Sequence, residues 1–459
     1  MRSEYEIRRQ RARRLVKEVV FPKLYPAVEP LQVAAHFVRG EPIAPSEAYL
    51  ADFEPFNLGQ PWGGAWSTAW FRLTGRVPAE WSGSDVVARI GLGFKGMTGF
   101  GGEALVWDGE TPLQAINPNH NYVKVANPAV GGEEVELHIE AAANPYVPWG
   151  GLEWPLLLPD YEGAPLYRLD RAELAVRDRE LEAAWHDLRV LYELAETLGP
   201  EDRRSQEIMH RLDRIALGTD FGAVRESLLA QAGVWGPLLD SPAPPGSHLV
   251  TAVGHAHIDS AWLWPLRETR RKCARTFSTA ISLMEDNPDY VFVCSQAQQH
   301  AWIEEQYPRL FEQMKDKVAS GQFEPVGSMW VEPDTNMPSG ESLVRQVVYG
   351  KRFFLDHYGI ETVDCWLPDA FGYSAALPGV LQSAGVRYFL TQKLSWNELD
   401  TFPHHTFWWE GIDGSRVLAH CPPTDTYNGD FRVAQVLKGP REFAQHGLSR
   451  RSLYAYGYG

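Results

Sequence analysis

Side chains that commonly bind metal ions alternate in the stretch GHAHIDSAWLWP, which covers residues 254–265. His255, His257 and Asp259 lie two residues apart, and Trp262 and Trp264 follow them. Because residues i and i+2 of an extended strand point to the same side, the three polar side chains could converge on one face. A catalytic zinc ion takes about three protein ligands and keeps one position open for the substrate. The stretch therefore predicts part of a metal site, with a further ligand supplied from elsewhere in the chain.

The stretch belongs to a repeated pattern over residues 248–459, in which β-rich runs alternate with helix-like segments. This alternation predicts βαβ units, that is, a parallel sheet with helices outside it. The β-rich runs are LVTAVGHAH (249–257), YVFVCSQ (290–296), FEPVGSMW (323–330), VDCWLPD (363–369), YFLTQKL (388–394) and RVLAHCPP (416–423). In α/β barrels the active site lies at the carboxyl ends of the strands, so we expect chemically active residues directly after each run.

Polar and aromatic residues do follow the later runs. They are Gln296 and Gln298, then Trp330, Glu332 and Asp334, then Asp369, then Lys393 and Trp396, and finally Asp425. Asp369 is the best candidate for the third metal ligand, because Pro368 before it disfavours a regular strand ladder there. Several carboxylates around one metal suit the cleavage of a glycosidic bond, in which one carboxylate attacks the sugar carbon and another protonates the leaving oxygen.

A metal-dependent amidohydrolase is the alternative enzyme class, because His-x-His after the first barrel strand also occurs there. Such an enzyme needs more histidine ligands after later strands. His300 lies inside a helix-like run, and the two histidines of PHH (403–405) lie in a loop. The later run ends are acidic, which disfavours this class.

The part of the chain before residue 248 has a different pattern. Residues 1–39 predict an N-terminal helical segment, and residues 40–170, with short β-rich runs between Gly, Pro and Asn clusters, predict an antiparallel β-sandwich. Residues 171–247 predict a helical connector that ends in the Pro-rich linker DSPAPPGS. The predicted fold class is therefore α/β plus β: an N-terminal antiparallel β-sandwich, a helical connector, and an incomplete (β/α)7-type barrel over 248–459.

Composition excludes several kinds of partner. The formal net charge of −16 argues against nucleic acid and anionic membranes. The chain has no run of about 18 apolar residues, which is the length that a membrane span requires. Its four cysteines show no CxxC spacing, which favours a reducing, cytoplasmic compartment. The 17 tryptophans and 18 tyrosines suit either a sugar-binding protein or a large aromatic core.

Four stretches together resemble glycoside hydrolase family 38, the α-mannosidases, and most of all its cytosolic and bacterial branch. They are HAHIDSAWLWP, GSMWVEPDTNMPSGESLVRQ, CWLPDAFGYSAALPGVLQSAGVRYFLTQKLSWN and FWWEGIDGSRVLAHCPPTDTYN. The resemblance implies a retaining α-mannosidase that hydrolyses α-mannosidic bonds in mannose-containing oligosaccharides by a zinc-assisted double displacement. It implies one Zn²⁺ per chain, with Co²⁺ as an alternative ion.

The resemblance also implies a role for each matching residue. His257 and Asp259 are expected to bind the zinc, with His255 as a neighbour, and Asp369 to be both the nucleophile and a ligand. Trp262 is expected to stack on the sugar, although it could also be a core residue. The remaining expected roles are acid/base catalysis by Asp425 and substrate contacts by Trp330, Glu332 and Asp334. For Glu332, Asp334 and Asp425, a cap or turn role is the alternative.

In that family the final stretch SLYAYGYG resembles a strand before a glycine-rich loop, with more chain and a fourth zinc ligand, a histidine, to follow. We therefore expect an N-terminal fragment whose barrel lacks its closing elements and whose activity is impaired. A non-catalytic carbohydrate-binding protein that uses the tryptophans of the 40–170 sandwich is a second hypothesis. The expected partner is an oligosaccharide or glycan, with no nucleic acid and no membrane. The sequence is compatible with a monomer or an oligomer.

Overall fold

The computed structural model describes residues 3–94, 96–146 and 164–459, and its N-terminal half contains a β domain. The strands are β1 Ala27–Pro30, β2 Gln32–Val38, β3 Glu54–Pro55, β4 Pro61–Trp62, β5 Thr68–Arg76, β6 Val86–Gly91, β7 Glu103–Asp108, β8 Thr111–Ile116, β9 Tyr122–Ala126, β10 Glu134–Ala142, β11 Tyr167–Arg168 and β12 Arg171–Val176. Two antiparallel sheets result, in the orders β1-β12-β6-β9 and β3-β2-β5-β10-β7-β8, with β4 and β11 as a separate pair. Buried side chains of both sheets, such as Phe71 and Leu174, form one apolar core.

The β domain includes strands from the segment 1–39, which the sequence analysis predicted to be helical. β1 pairs with β12, and β2 pairs with β5 along seven positions. The helical segment ends at Lys23, shortly before Pro26, and proline lacks the N–H group that a helix interior needs. The helical prediction is therefore wrong for residues 27–38, and β12 likewise extends the sheet past residue 170.

Helices from the N-terminus and from the connector pack together. They are α1 Glu4–Arg14, continued by a π-helical turn over Leu15–Val20, then the short α2 Pro45–Ala48 within the β domain, and α3 Arg179–Leu198, α4 Arg203–Gly218, α5 Val224–Leu229 and α6 Ala232–Leu239. Asp178 and Asp202 cap α3 and α4 by accepting backbone N–H groups. Ala12, Leu188 and Leu212 belong to one buried cluster that joins α1, α3 and α4.

Strands and helices alternate in the C-terminal half. The strands are β13 Leu249–His255, β14 Phe292–Cys294, β15 Phe323–Pro325, β16 Asp364–Leu367, β17 Tyr388–Thr391, β18 Thr406–Glu410, β19 Arg416–His420 and β20 Arg451–Tyr456. The helices are α7 Leu266–Asp286, α8 Ala297–Gln306, α9 Pro308–Ala319, α10 Gly340–Tyr358, α11 Leu377–Ser383 and α12 Val433–Glu442. Each of the six β-rich runs contains one strand. None of the helices in the described part of the chain is both long and apolar enough to cross a membrane.

The C-terminal strands form two adjoining sheets. One has the order β15-β14-β13-β20 and the other β16-β17-β19-β18, and every pairing is parallel except that of β18 with β19. The sheets meet at two edges: the N–H of Ser328 donates to the carbonyl of Asp364 at 2.9 Å, and the N–H of Leu453 donates to His420 Nε2 at 3.2 Å. β20 pairs with β13 over six residues. The last strand of the described chain thus lies beside β13, the first strand of this half.

A buried ionic cluster joins α7 to the β domain. On α7, Arg271 Nη1 lies 3.1 Å from Glu140 Oε1, and Lys272 Nζ lies 2.9 Å from Glu103 Oε2. Arg275 contacts both Glu103 and Glu268, and Arg271 contacts Glu268 as well. Three acids thus balance three bases, as buried charges require. α7 begins directly after the stretch 254–265. By fixing α7 against the β domain, the cluster also fixes the end of that stretch.

Candidate functional site

His257, Asp259 and Asp369 converge at the carboxyl ends of β13 and β16. The Nε2 atom of His257 lies 3.5 Å from Asp259 Oδ1 and 3.1 Å from Asp369 Oδ2. One ligand atom of each residue lies within 4.8 Å of the other two, so the three could hold one metal ion. Nitrogen and oxygen donors of this kind suit zinc and related divalent ions.

The surroundings of His257 fit a bound cation. Its side chain is only 7% exposed, and neither ring nitrogen makes a hydrogen bond of normal geometry, although carboxylates lie beside both. A buried polar atom without a hydrogen bond is costly, and a cation between Nε2 and the carboxylates would remove that cost. The residues present therefore fit the metal that the sequence analysis expects.

Glu332 lies behind His257, on the opposite ring nitrogen. Its Oε2 is 3.0 Å from His257 Nδ1, and Ser295 Oγ donates to its Oε1 at 2.6 Å. Metal-binding histidines are commonly held by a carboxylate in this way. Burial lowers the pKa of His257, but Glu332, Asp259 and Asp369 outweigh burial and raise that pKa well above its ordinary value. The family resemblance implied a substrate contact at Glu332, whereas its carboxylate faces the imidazole.

The Asp369 carboxylate also contacts Lys393, whose Nζ pairs with Oδ1. The ammonium group lies 3.0 Å from the centre of the Trp396 ring and 5.1 Å from that of Tyr427. Burial raises the pKa of Asp369, but the nearby His257 and Lys393 outweigh burial, so the pKa is lowered. Asp369 is therefore held as a carboxylate, which is the form that binds metals and acts as a nucleophile.

Tyr427 is a site residue that sequence reasoning missed. Burial and the nearby Asp369 carboxylate raise the pKa of its phenol, and its ring lies 5.3 Å from that of His257. The backbone carbonyl of Tyr427 is 3.2 Å from Nδ1 of His255. The sequence signal that could have identified it is its position after the sixth β-rich run, in TDTYNGD, two residues beyond Asp425.

His255 lies below the site and has both ring nitrogens engaged. Trp366 Nε1 donates to its Nε2 at 3.1 Å, while Nδ1 faces the Tyr427 carbonyl. Complete burial lowers the pKa of His255 to about 3, so the ring is neutral. With Nδ1 protonated and Nε2 accepting, His255 supports the position of Tyr427 and leaves no lone pair for a metal.

A cavity of about 460 Å³ opens over the converging residues, and we call it the metal cavity. His257, Asp259, Glu332, Asp334 and Asp369 all line it. Asp334 lies at its exposed rim. The N–H groups of Asn336 and Met337 donate to Asp334 Oδ1, at 2.7 and 2.9 Å, and lower its pKa. Asp334 therefore stabilises a turn at the mouth of the cavity.

The two predicted tryptophans lie at the sides of this region. Trp330 Nε1 donates to Gln298 at 3.1 Å, and its ring packs 5.9 Å from Phe353, against the core between α8 and α10. The ring of Trp262 is half-buried and lies 5.8 Å from Phe100, in the loop before β7 of the β domain. The β domain thus contacts the stretch 254–265 directly.

The structure does not bring Asp425 into the metal cavity. Its carboxylate is exposed and lies 2.5 Å from Lys438 Nζ on α12. The backbone at Asp425 has a φ of 55°, which reverses the chain, so that Tyr427 faces Asp369 while Asp425 faces α12. The expected acid/base role of Asp425 is therefore not supported by its position.

Comparison with known protein families places both halves of the chain among glycosyl hydrolase domains. Residues 247–459 match the glycosyl hydrolases family 38 N-terminal domain, and residues 28–175 match the alpha-mannosidase jelly roll domain. The C-terminal half of the chain thus belongs to the N-terminal domain of glycosyl hydrolases family 38, and the β domain belongs to the alpha-mannosidase jelly roll domain. The jelly roll match begins at the start of β1, which agrees with the strands found before residue 40.

Curated relatives cover almost all of this chain. It is 38% identical over 95% of its length to alpha-mannosidase 2C1 from Homo sapiens, covering 41% of that protein. It is 35% identical over 89% of its length to an alpha-mannosidase from Saccharomyces cerevisiae, covering 38% of that protein. The chain thus spans about two fifths of the length of these relatives. Among solved structures, an alpha-mannosidase from Enterococcus faecalis V583 overlaps 46% of this chain and 25% of its own, at 19% identity and a TM-score of 0.40.

Proposed function

We propose that this chain carries the metal site and the nucleophile of a retaining α-mannosidase that hydrolyses α-mannosidic bonds in mannose-containing oligosaccharides. The observation that supports this most is the Asp369 carboxylate, with Oδ2 beside His257 and Oδ1 paired with Lys393. The names of the curated relatives supply the sugar, because nothing in the cavity alone distinguishes mannose from other pyranoses.

His257, Asp259 and Asp369 are the residues that would hold one divalent ion, zinc first and cobalt as the alternative. When bound, the ion would act as a Lewis acid toward sugar hydroxyl groups. Glu332 would keep the imidazole of His257 in the orientation that presents Nε2 to the ion.

In a double displacement, the nucleophilic carboxylate attacks the anomeric carbon and forms a glycosyl–enzyme intermediate, which water then hydrolyses. Asp369 suits this role because its surroundings keep it ionised. Lys393 and the Tyr427 phenol orient it by contacting the carboxylate from outside the ligand cluster.

Neither of the other expected carboxylates has the surroundings of a proton donor. Asp425 pairs with Lys438 outside the metal cavity, and two N–H groups lower the pKa of Asp334. A general acid needs a pKa near the working pH. The proposal therefore assigns no acid among the described residues and expects this chain by itself to hydrolyse mannosides slowly.

We further infer that the seven parallel strands of the C-terminal half form one (β/α)7-type barrel around the cluster of Val253, Val293, Val326, Trp366, Leu390 and Leu453. Its carboxyl-end face then carries the metal cavity, as in other α/β barrels. The four cysteines are buried and unpaired, which fits the predicted reducing, cytoplasmic compartment.

The test uses the purified chain, stripped of metal with a chelator and then supplied with zinc or cobalt. We expect metal-dependent hydrolysis of an aryl α-mannoside, and a loss of roughly a thousandfold or more in Asp369→Asn. Asp413→Asn, at an exposed turn, is the matched control and should hydrolyse like the wild type. Turnover that persists in Asp369→Asn would refute the nucleophile assignment.

A further inference from the structure

A second cavity, of about 510 Å³, lies beside the metal cavity and is lined largely by aromatic rings; we call it the aromatic cleft. Its aromatic lining comprises Phe371, Tyr373, Phe389, Trp396, Phe402, Phe407 and Trp409. Both cavities fall in the size range of small-ligand sites, which is roughly 300–1,000 Å³. The proposed hydrolysis takes place in the metal cavity and assigns no ligand to the aromatic cleft.

The floor of the aromatic cleft is rigid, because it is part of the protein core. Phe389 is buried, and the rings of Tyr373 and Trp409 lie 5.1 and 5.0 Å from it. Tyr373 is also held by hydrogen bonds to Thr391 and to the carbonyl of Ala370. The shape of the floor is therefore formed before any ligand arrives.

The rim of the aromatic cleft is unusually exposed for aromatic side chains. Phe371 is 73% exposed, Trp396 48% and Phe402 38%. Single exposed apolar residues are ordinary, but several around one concave surface mark a binding site. Lys393, Thr391 and Asn397 add polar groups to the same lining, so the expected ligand has both apolar faces and polar edges.

The two cavities adjoin each other. Phe371 lines both of them, and Lys393 lines the aromatic cleft while its ammonium group contacts Asp369 in the metal cavity. A ligand held at Asp369 must therefore be longer than one sugar-sized ring to reach past Phe371 into the aromatic cleft.

We propose that the aromatic cleft binds a second pyranose unit of an oligosaccharide, next to the unit held in the metal cavity. A pyranose carries C–H groups on its faces and hydroxyls around its edge, which matches stacking aromatic rings with polar groups among them. The proposal rests on the proposed function, because the adjoining metal cavity identifies the ligand as a sugar chain.

The experiment compares binding of methyl α-mannoside and an α-linked mannotriose to the metal-loaded chain, by calorimetry or saturation-transfer NMR. We expect mannotriose to bind the wild type more tightly than the monosaccharide. Phe402→Ala should weaken mannotriose binding roughly tenfold and leave the monosaccharide unchanged, since Phe402 is at the far rim and touches Phe407 rather than Asp369.

Trp408→Ala is the matched control. Trp408 is 64% exposed in β18, next to Trp409 but outside the lining of the aromatic cleft, so its loss should leave both affinities unchanged. Circular dichroism of each variant checks that it is folded. Equal mannotriose affinity in Phe402→Ala and the wild type would overturn the aromatic-cleft proposal while leaving the proposed function intact. Failure of methyl α-mannoside to bind the wild type would instead overturn the proposed function.

Discussion

Glu332 holds the imidazole of His257 from the side opposite to the metal cavity, with 3.0 Å between Oε2 and Nδ1. The carboxylate is itself fixed by Ser295 and Gln296. A ring held in this way has one tautomer available for a cation, with the proton on Nδ1 and the lone pair on Nε2. Metal affinity at this site should therefore depend on a residue that does not touch the metal.

Glu332→Gln should weaken zinc binding by roughly 10- to 100-fold, because the neutral amide no longer stabilises the protonated Nδ1. Competition with a zinc-chelating dye measures the change. Glu361→Gln, at an exposed position, is the control and should bind zinc like the wild type. Unchanged affinity in Glu332→Gln would show that the His257–Glu332 contact does not support the metal.

Asp425→Asn should keep at least roughly half of the wild-type rate of aryl α-mannoside hydrolysis. The reason is its location, since it pairs with Lys438 on the surface and lies outside the metal cavity, and such an exposed pair contributes about 0–1 kcal/mol to stability. Steady-state rates of the variant and the wild type are compared at equal metal loading. A loss as large as that of Asp369→Asn would restore Asp425 as the acid/base.

Glu268→Gln should destabilise the chain by about 3–5 kcal/mol, because Arg271 and Arg275 each lose one of their two buried carboxylate partners. Urea unfolding measures the free energy of unfolding. In the control Glu410→Gln, the pair with Arg416 is more than half exposed on both sides, and the expected loss is below about 1 kcal/mol. Similar losses in the two variants would contradict a structural role for the buried cluster.

Stability should fall as the pH rises from about 4 to about 6, because burial raises the pKa of Asp364 to about 6. In that window the folded protein keeps a proton on Asp364 that the unfolded chain has released. The free energy of unfolding therefore decreases as the pH rises. The full effect is on the order of 3 kcal/mol.

Asp364→Asn removes this titration and keeps an oxygen that can accept the Gly327 N–H, which donates to Oδ2 at 2.8 Å. The variant should therefore be more stable than the wild type at pH 7 and about equal to it at pH 4, as measured by thermal unfolding. Asp356→Asn, on the exposed side of α10, should follow the wild-type pH profile. Parallel profiles for Asp364→Asn and the wild type would refute the assignment.

The sequence predicted the convergence of His257, Asp259 and Asp369 because a simple rule governs it. Carboxyl ends of parallel strands meet at one edge of a sheet, so residues after β13 and β16 come together whatever the detailed packing. The jelly roll domain and the alternation of strands and helices followed from local patterns in the same way.

Other features depend on contacts that no local pattern contains. Asp425 and Tyr427 are two residues apart, yet Tyr427 lies beside Asp369 while Asp425, whose φ is 55°, pairs with Lys438. Glu332 contacts His257 and not a substrate because of the way β13 and β15 are positioned relative to each other. Likewise, β1 and β2 are strands because distant partners, β12 and β5, pair with them, which overrides weak local preference.

The pairing of β20 with β13 also bears on how the chain folds. Val253 lies opposite Ala455 in this parallel ladder, so the contact closes a loop of about 200 residues, and such long-range contacts form late and slowly. During synthesis, β13 has one strand partner until β20 leaves the ribosome. The segment that carries His257 and Asp259 follows β13 directly, so metal capture should accompany the last stage of folding rather than nucleate it.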